Sequence, residues 1–242
     1  MAFLSVIIAA HNAEDTLHAT LESLHAAIDN AGDAVEVIIF NDSSDDATQD
    51  IIEKWLPAFP HAQSRYVEYR NVGHVRNSAV SLASGDYITM LDSDDRLKPC
   101  SLRDAVAFLK AQRPDMLLTR LLEIRDIRKI TAFWQGFTPI SFSQNEAIKR
   151  FLQHKEFQAH LIGQFIHRKL YESNPIPSMV CYEDFAVFPA MLMQAEKICY
   201  QRQGHYYYIK RSESLSSRLD ASKITTLVEC TLKMEKTFPQ AF

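Results

Sequence analysis

The chain has 242 residues, 47% of them hydrophobic and 23% charged, with only six glycines and nine prolines. That composition supports a folded domain with a sizeable core and excludes a disordered or collagen-like chain. The net charge of -4 is unevenly spread: residues 1–120 carry 10 Lys+Arg against 18 Asp+Glu, and residues 121–242 carry 16 against 12. An acidic N-terminal half excludes a nucleic-acid partner unless a metal ion mediates the contact.

In the first 120 residues short continuous apolar runs alternate with segments of helical period, the pattern of a parallel sheet covered on both faces. The runs Phe3 to Ala10, Val35 to Phe40, Arg65 to Tyr69, Tyr87 to Leu91 and Asp115 to Thr119 predict strands. Between them, Ala13 to Ile28 places Leu17, Leu21, Leu24 and Ile28 on one face of a helix, and Thr48 to Leu56 ends at Pro57 and Pro60. A third helix spans His74 to Ser84, with Gly85 as its stop. From Leu121 the pattern is less regular. It predicts a helix over Gln144 to Gln153, a strand near His160 to His167, a helix over Glu183 to Gln194, two short strands at Lys197 to Tyr200 and Tyr206 to Lys210, and a last amphipathic helix over Ala221 to Thr237.

Cys100, Cys181, Cys199 and Cys230 are widely spaced, without a CxxC pair or zinc-finger spacing, so reduced thiols are expected. The apolar N-terminus lacks a basic flank and a cleavage site, and no run approaches the ~18 apolar residues of a membrane span. A cytoplasmic protein is expected.

Ligands of open parallel sheets bind beyond the carboxyl ends of the strands. Here three strands run into polar turns: His11-Asn12-Ala13-Glu14, Asn41-Asp42-Ser43-Ser44-Asp45-Asp46 and Asp92-Ser93-Asp94-Asp95. Asp42, Asp92, Asp94 and Asp95 then converge on one edge. Like charges ~4 Å apart repel by about 4 kcal/mol at an effective dielectric of 20, so a hard divalent cation that also grips phosphates is the expected companion. A lone DxD more often caps a helix, here the one that follows Pro99. Its position directly after a buried strand favours the metal.

Over residues 3–218 the sequence resembles the family 2 inverting glycosyltransferases of the GT-A fold. Leu4-Ser5-Val6-Ile7-Ile8-Ala9-Ala10-His11-Asn12 is similar to the family's SVIIPxYN strand, with Ala9 and His11 at the usual proline and aromatic positions. Phe40-Asn41-Asp42-Ser43-Ser44-Asp45-Asp46-Ala47-Thr48 resembles VDDGSxDxT, with Asn41 in place of the first aspartate and Ser43 in place of the glycine. Asn71-Val72-Gly73-His74-Val75-Arg76-Asn77 resembles NxGxxxARN with two residues fewer. Gly85 to Asp95 with Pro99 follows GxYIxFLDSDDxxxP almost throughout, Tyr182-Glu183-Asp184-Phe185 with Phe188 resembles yEDxxF, and His205 to Arg211 with Ser214 resembles YYYRxRxxSxS.

The resemblance implies a Rossmann-like, mostly parallel sheet flanked by helices. Residues 1–120 would form a nucleotide-sugar-binding half, 121–218 a less regular acceptor-side half, and 219–242 a C-terminal helical extension. It implies an enzyme of bacterial surface-polysaccharide type that moves a sugar from a nucleotide-diphosphate donor, with UDP-sugars the commonest, to a glycan or lipid-linked acceptor. Asp184 would be the catalytic base. Asp42 and the loop Ala10, His11, Asn12 and Glu14 would hold the base of the nucleotide, while Arg76, Asp92 and Ser93 would meet the donor, Asp92 through ribose or metal. Asp94, with Asp95, would bind Mn2+ or Mg2+, and His205 would add a further ligand. Lys210, Arg211 and Ser214 would neutralise the leaving diphosphate. Arg125, Arg128 and Lys129 are either a solvated face or a contact to an anionic membrane or acceptor, and the oligomeric state is open. The competing readings are a non-catalytic nucleotide-binding module and an aspartate-nucleophile phosphatase. The latter places its DxD after the first strand, where this chain has His11-Asn12.

Overall fold

Four of the five runs of the N-terminal half lie side by side as parallel strands, the third beginning three residues earlier than expected, in a computed structural model that describes residues 2–210 and 220–238. They are β1 (Leu4–Ala10), β2 (Val35–Asp42), β3 (Ala62–Val67) and β4 (Tyr87–Asp92), in the order β3-β2-β1-β4. Every residue of β2 is buried, which is why the run reads as continuously apolar rather than alternating. The crossovers carry α1 (Leu17–Ile28), α2 (Thr48–Trp55) and α3 (Val72–Leu82). The stripe Leu17, Leu21, Leu24 and Ile28 is the buried face of α1, and α3 packs on β1 and β2.

The sheet continues without a break into the second half. β5 (Arg96–Leu97), β6 (Met116–Ile124), β8 (Phe165–His167) and β9 (Ile198–Ile209) extend it in the order β4-β8-β6-β9-β5, and β7 (Ile140–Phe142) pairs with β9. β8 is antiparallel to both β4 and β6, whereas β6 and β9 are parallel. The helices here are α4 (Ser101–Gln112), α5 (Gln144–Leu152), α6 (Arg168–Ser173), α7 (Glu183–Gln194) and α8 (Ala221–Thr237). One hydrophobic cluster runs from Phe3 to Phe238. The boundary expected between residues 120 and 121 therefore falls inside β6, a strand of the shared sheet.

The two strands expected near the C-terminus are one strand, β9. Its middle, Gln201-Arg202-Gln203-Gly204, has the polar composition of a turn, but the register against β6 shifts there instead. A Cβ on Gly204 would lie 2.5 Å from the Arg120 carbonyl oxygen, so only glycine lets the bulged strand pass β6 so closely. The strand expected over residues 160–167 shrinks to Phe165–His167, because Gly163 turns the chain at φ +67°. Among the described residues no helix is long and apolar enough to cross a membrane.

Candidate active site

The turn after β4 is built from both ends of the chain. The Ser93 carbonyl accepts hydrogen bonds from the hydroxyls of Thr16 (2.9 Å) and Thr20 (3.0 Å) on the first helix segment, and the Asp95 amide returns to the Asp92 carbonyl at 3.1 Å. Asp95 is fully buried. It accepts from the Tyr206 hydroxyl at 2.7 Å and from the Ile209 amide at 2.8 Å, while the same Tyr206 oxygen accepts from the Asp92 amide at 3.1 Å. Burial, reinforced by the nearby charge of Asp92, pushes the Asp95 carboxyl up to about 8. The turn does not cap the helix that follows: the residue before α4 is Cys100, which makes no capping bond.

Asp92, Asp94 and Asp95 each bring one carboxylate oxygen within 4.8 Å of the others. An octahedral ion with oxygens at about 2.1 Å holds neighbouring ligands ~3 Å and opposite ligands ~4.2 Å apart. The spacing of the three is near that range, and all three are hard oxygen donors suited to Mg2+ or Mn2+. A divalent charge at the turn would favour the ionised form of Asp95 against its burial.

The second carboxylate group arrives from α7. Arg76 on α3 is nearly buried and reaches Asp92 Oδ1 at 3.0 Å with one nitrogen and Glu183 Oε1 at 2.8 Å with another. Burial pushes Glu183 up, against the pull of Arg76. Around this fork, Asn77 exchanges two hydrogen bonds with the backbone of Ile176 (2.7 and 2.9 Å) and Asn71 donates to the Met179 carbonyl at 3.3 Å. A Cβ on Gly73 would sit 2.5 Å from the Pro177 carbonyl oxygen. The start of α3 is thus a clamp on the segment that leads into Glu183 and Asp184. Asp184 stands in the first turn of α7, its Oδ1 accepting from the Phe185 amide at 2.7 Å and its Oδ2 lying 3.5 Å from His160 Nδ1. It keeps 25% of its side-chain surface in solvent, so a hydroxyl can approach it.

Several of the expected site residues make other contacts. Asp42, expected to read the base, accepts from the amides of Tyr69 (2.8 Å), Arg70 (2.8 Å) and Asn71 (3.1 Å) and from the Ser43 hydroxyl (3.3 Å). Three of these donors reach Oδ1 and one reaches Oδ2, so Asp42 helps hold the turn into α3, where Arg70 has φ +48°. Arg76 is likewise engaged by two carboxylates rather than free for the donor. His205, expected as a further metal ligand, is fully buried: its ring stacks on Phe165 at 5.2 Å and meets Phe137 at 5.7 Å, and neither ring nitrogen has a hydrogen-bond partner. Burial, with the Lys98 charge adding to it, lowers its pKa to about 3. Lys210 pairs with Glu123 at 2.8 Å. Arg211 and Ser214 lie outside the described residues. In the basic cluster, Arg128 pairs with Asp126 at 2.9 Å on an exposed surface.

The loop after β1 stays at the crevice. His11, Asn12 and Glu14 are exposed and Ala10 is buried beneath them. Asn12 and Glu14 interlock with the turn after β2: the Asn12 amide donates to Ser44, and the Asp45 and Ala47 amides donate to the side chains of Asn12 and Glu14. His11 Nδ1 lies 2.6 Å from the Asp42 carbonyl oxygen, which can only accept, so Nδ1 carries the proton and Nε2 is left as an acceptor. The residues that sequence reasoning passed over are Tyr206, Glu183, His160, Thr16 and Thr20. Only Glu183 had a local signal, beside Asp184. The others act across 24 to 114 positions of chain.

A parallel sheet with an acidic turn beyond its fourth strand and a second acidic pair clamped beside it belongs to the GT-A class of glycosyltransferase domains. Staphylococcus aureus TarS 1–349, solved in complex with UDP-GlcNAc, superposes with a TM-score of 0.80 over 98% of this chain and 67% of its own, at 22% identity. The mannosyltransferase PcManGT of Pyrobaculum calidifontis, solved with GDP-Man and Mn2+, matches with a TM-score of 0.58 over 82% of this chain and 56% of its own, at 18% identity. The chain belongs to glycosyl transferase family 2, whose model matches residues 5–173. It is 36% identical over 118 residues to the Escherichia coli UDP-Glc:alpha-D-GlcNAc-diphosphoundecaprenol beta-1,3-glucosyltransferase WfaP, a match that covers 47% of this chain and 43% of the relative. The chain thus spans less than half the length of that relative.

Proposed function

We propose that the chain is a metal-dependent, inverting glycosyltransferase that moves a sugar from a UDP-sugar to a hydroxyl of a glycan or lipid-linked acceptor in bacterial polysaccharide synthesis. The observation that carries this reading is the double ion pair of Arg76, which ties Asp92 at the acidic turn to Glu183, the neighbour of Asp184. Donor end and base end are thereby fixed relative to each other through one buried side chain. The relatives that act on or bind UDP-sugars support the choice of donor.

In this reading the base of the nucleotide lies over the loops after β1 and β2. With Asp42 engaged by backbone amides, base recognition falls to His11, whose free Nε2 accepts a ring N–H such as that of uracil. Asp94, with Asp92 and Asp95, would hold Mn2+ or Mg2+, which when bound supplies positive charge to the diphosphate. Asp184 takes the proton of the attacking hydroxyl, an assistance typically worth roughly 10²–10⁴-fold. Single displacement at the anomeric carbon inverts its configuration. Tyr206 and Arg76 position the two carboxylate groups without touching substrate.

The test is a panel of nucleotide sugars, each with and without Mn2+, read by thermal stabilisation and by donor consumption. Stabilisation by UDP-sugars that requires the metal, with slow donor consumption, supports the proposal. Equal behaviour with and without metal, or release of phosphate from simple esters in the absence of any nucleotide, contradicts it.

A further inference from the structure

A cleft of about 800 Å³ opens beside the proposed base and is not used by the donor side. Its wall nearest the base is His160, whose Nδ1 lies 3.5 Å from Asp184 and whose ring stacks on Tyr208 at 6.4 Å. From there it runs over Phe157 and Tyr200 to Arg120 on β6 and Arg202 on β9. A smaller cleft of about 360 Å³ shares Arg120, Leu122 and Arg202 and ends at Lys98 and Trp134. The two clefts adjoin at these shared residues as one groove, and His160 links the larger of them to Asp184. We propose that this groove receives the acceptor and that the acceptor carries a phosphate group, held by Arg120 and Arg202.

Three features carry the inference, which rests on the assignment of Asp184 as base. The volume lies high in the ~300–1,000 Å³ range of small-ligand sites, so the groove takes more than one sugar ring. Its half-exposed rings, His160 stacked on Tyr208, offer apolar faces with polar edges, suited to rings that are apolar on one face and hydroxylated at the edge. The third feature is charge. Arg202 shares Glu156 (3.1 Å) with Arg150, which also pairs with Glu146, and Glu123 is paired with Lys210, so the charge left over comes from Arg120 and Lys98. Among the described residues neither Arg120 nor Lys98 makes an ion pair, and the Lys98 ammonium lies over the rings of Trp134 (6.0 Å) and Tyr207 (5.7 Å). Positive charge is therefore left over where the two clefts join, in contrast to the acidic donor turn. Two guanidinium groups flanking one cleft match a phosphate, which accepts bidentate hydrogen bonds. A neutral glycan would leave that charge uncompensated.

The experiment titrates glucose 1-phosphate, glucose and inorganic phosphate into the full chain by calorimetry, with UDP and Mn2+ saturating so that the donor side is filled. Binding of glucose 1-phosphate at concentrations where glucose gives no heat, weakening roughly tenfold or more in an Arg120→Gln/Arg202→Gln variant and recovering in part in Arg120→Lys/Arg202→Lys, is the expected result. Inorganic phosphate binding as tightly as the sugar phosphate would mean an anion site without an acceptor role and would overturn the proposal, as would an unchanged affinity in the double glutamine variant. UDP binding is read separately. If UDP binds and glucose 1-phosphate does not, this inference fails alone; if UDP with Mn2+ does not bind at all, the donor reading fails first.

Discussion

The hydroxyl of Tyr206 donates to Asp95 at 2.7 Å and accepts from the amide of Asp92 at 3.1 Å, so one buried phenol on β9 sets both ends of the acidic turn. Tyr206→Phe leaves a buried carboxyl short of a donor and a backbone amide short of an acceptor, each worth about 1–3 kcal/mol when orphaned. The variant should lose a few kcal/mol in urea unfolding and bind Mn2+ with UDP more weakly. Unchanged unfolding together with unchanged metal affinity would mean that Tyr206 does not position the turn.

Arg76, 7% exposed, holds the nearly buried Glu183 (12%) and the more open Asp92 (34%), so the Glu183 arm is the buried ion pair. Removing one partner of a buried ion pair typically costs about 3–5 kcal/mol, because the remaining charge stays desolvated. Arg76→Gln is expected to fall in that range, and Arg76→Lys to recover only part of it, since an ammonium lacks the planar fork that spans two carboxylates. A Lys variant with full stability and full turnover would remove Arg76 as the link between donor and base.

Asp42→Asn replaces an acceptor oxygen by a donor that faces backbone amides. Lower thermal stability is expected, with the preference for UDP over other nucleoside diphosphates unaltered. A change in base preference at unaltered stability would restore Asp42 to base recognition.

These residues also mark how far the sequence could be read. Continuous burial on both faces makes β1, β2 and β4 legible from composition, and helical period makes α1 and α7 legible. Even so, β9 reads as two strands, because Gln201 to Gly204 has turn chemistry while the pairing that keeps it extended comes from β6. The strands β5 and β7, of two and three residues, are too short to carry a period. At the site, residue types and order locate the acidic turn and Asp184, but the task of each side chain depends on partners far along the chain. Arg76 and Glu183 are 107 positions apart, and only the fold brings Asp42 to the backbone amides of residues 69 to 71.

His205 provides a test by pH. Its folded pKa is lowered to about 3 from 6.5, so above pH 6.5 it is neutral in both states and costs nothing. As pH falls from 6.5 towards 3 the unfolded chain takes up a proton that the folded chain refuses, and stability declines by an amount on the order of a few kcal/mol. Both ring nitrogens lack partners, so His205→Phe gives up no hydrogen bond and should flatten the decline in that window. Metal-dependent stabilisation by UDP should survive in the variant. Its loss would return His205 to the metal site.

The assignment of Asp184 as the base is tested most directly by Asp184→Asn, which removes the proton acceptor and little else. UDP with Mn2+ should stabilise the variant as it does the parent chain, while transfer from the UDP-sugar falls by roughly 10²–10⁴-fold. An Asp184→Asn protein that binds the donor and turns over at the parent rate would contradict the account.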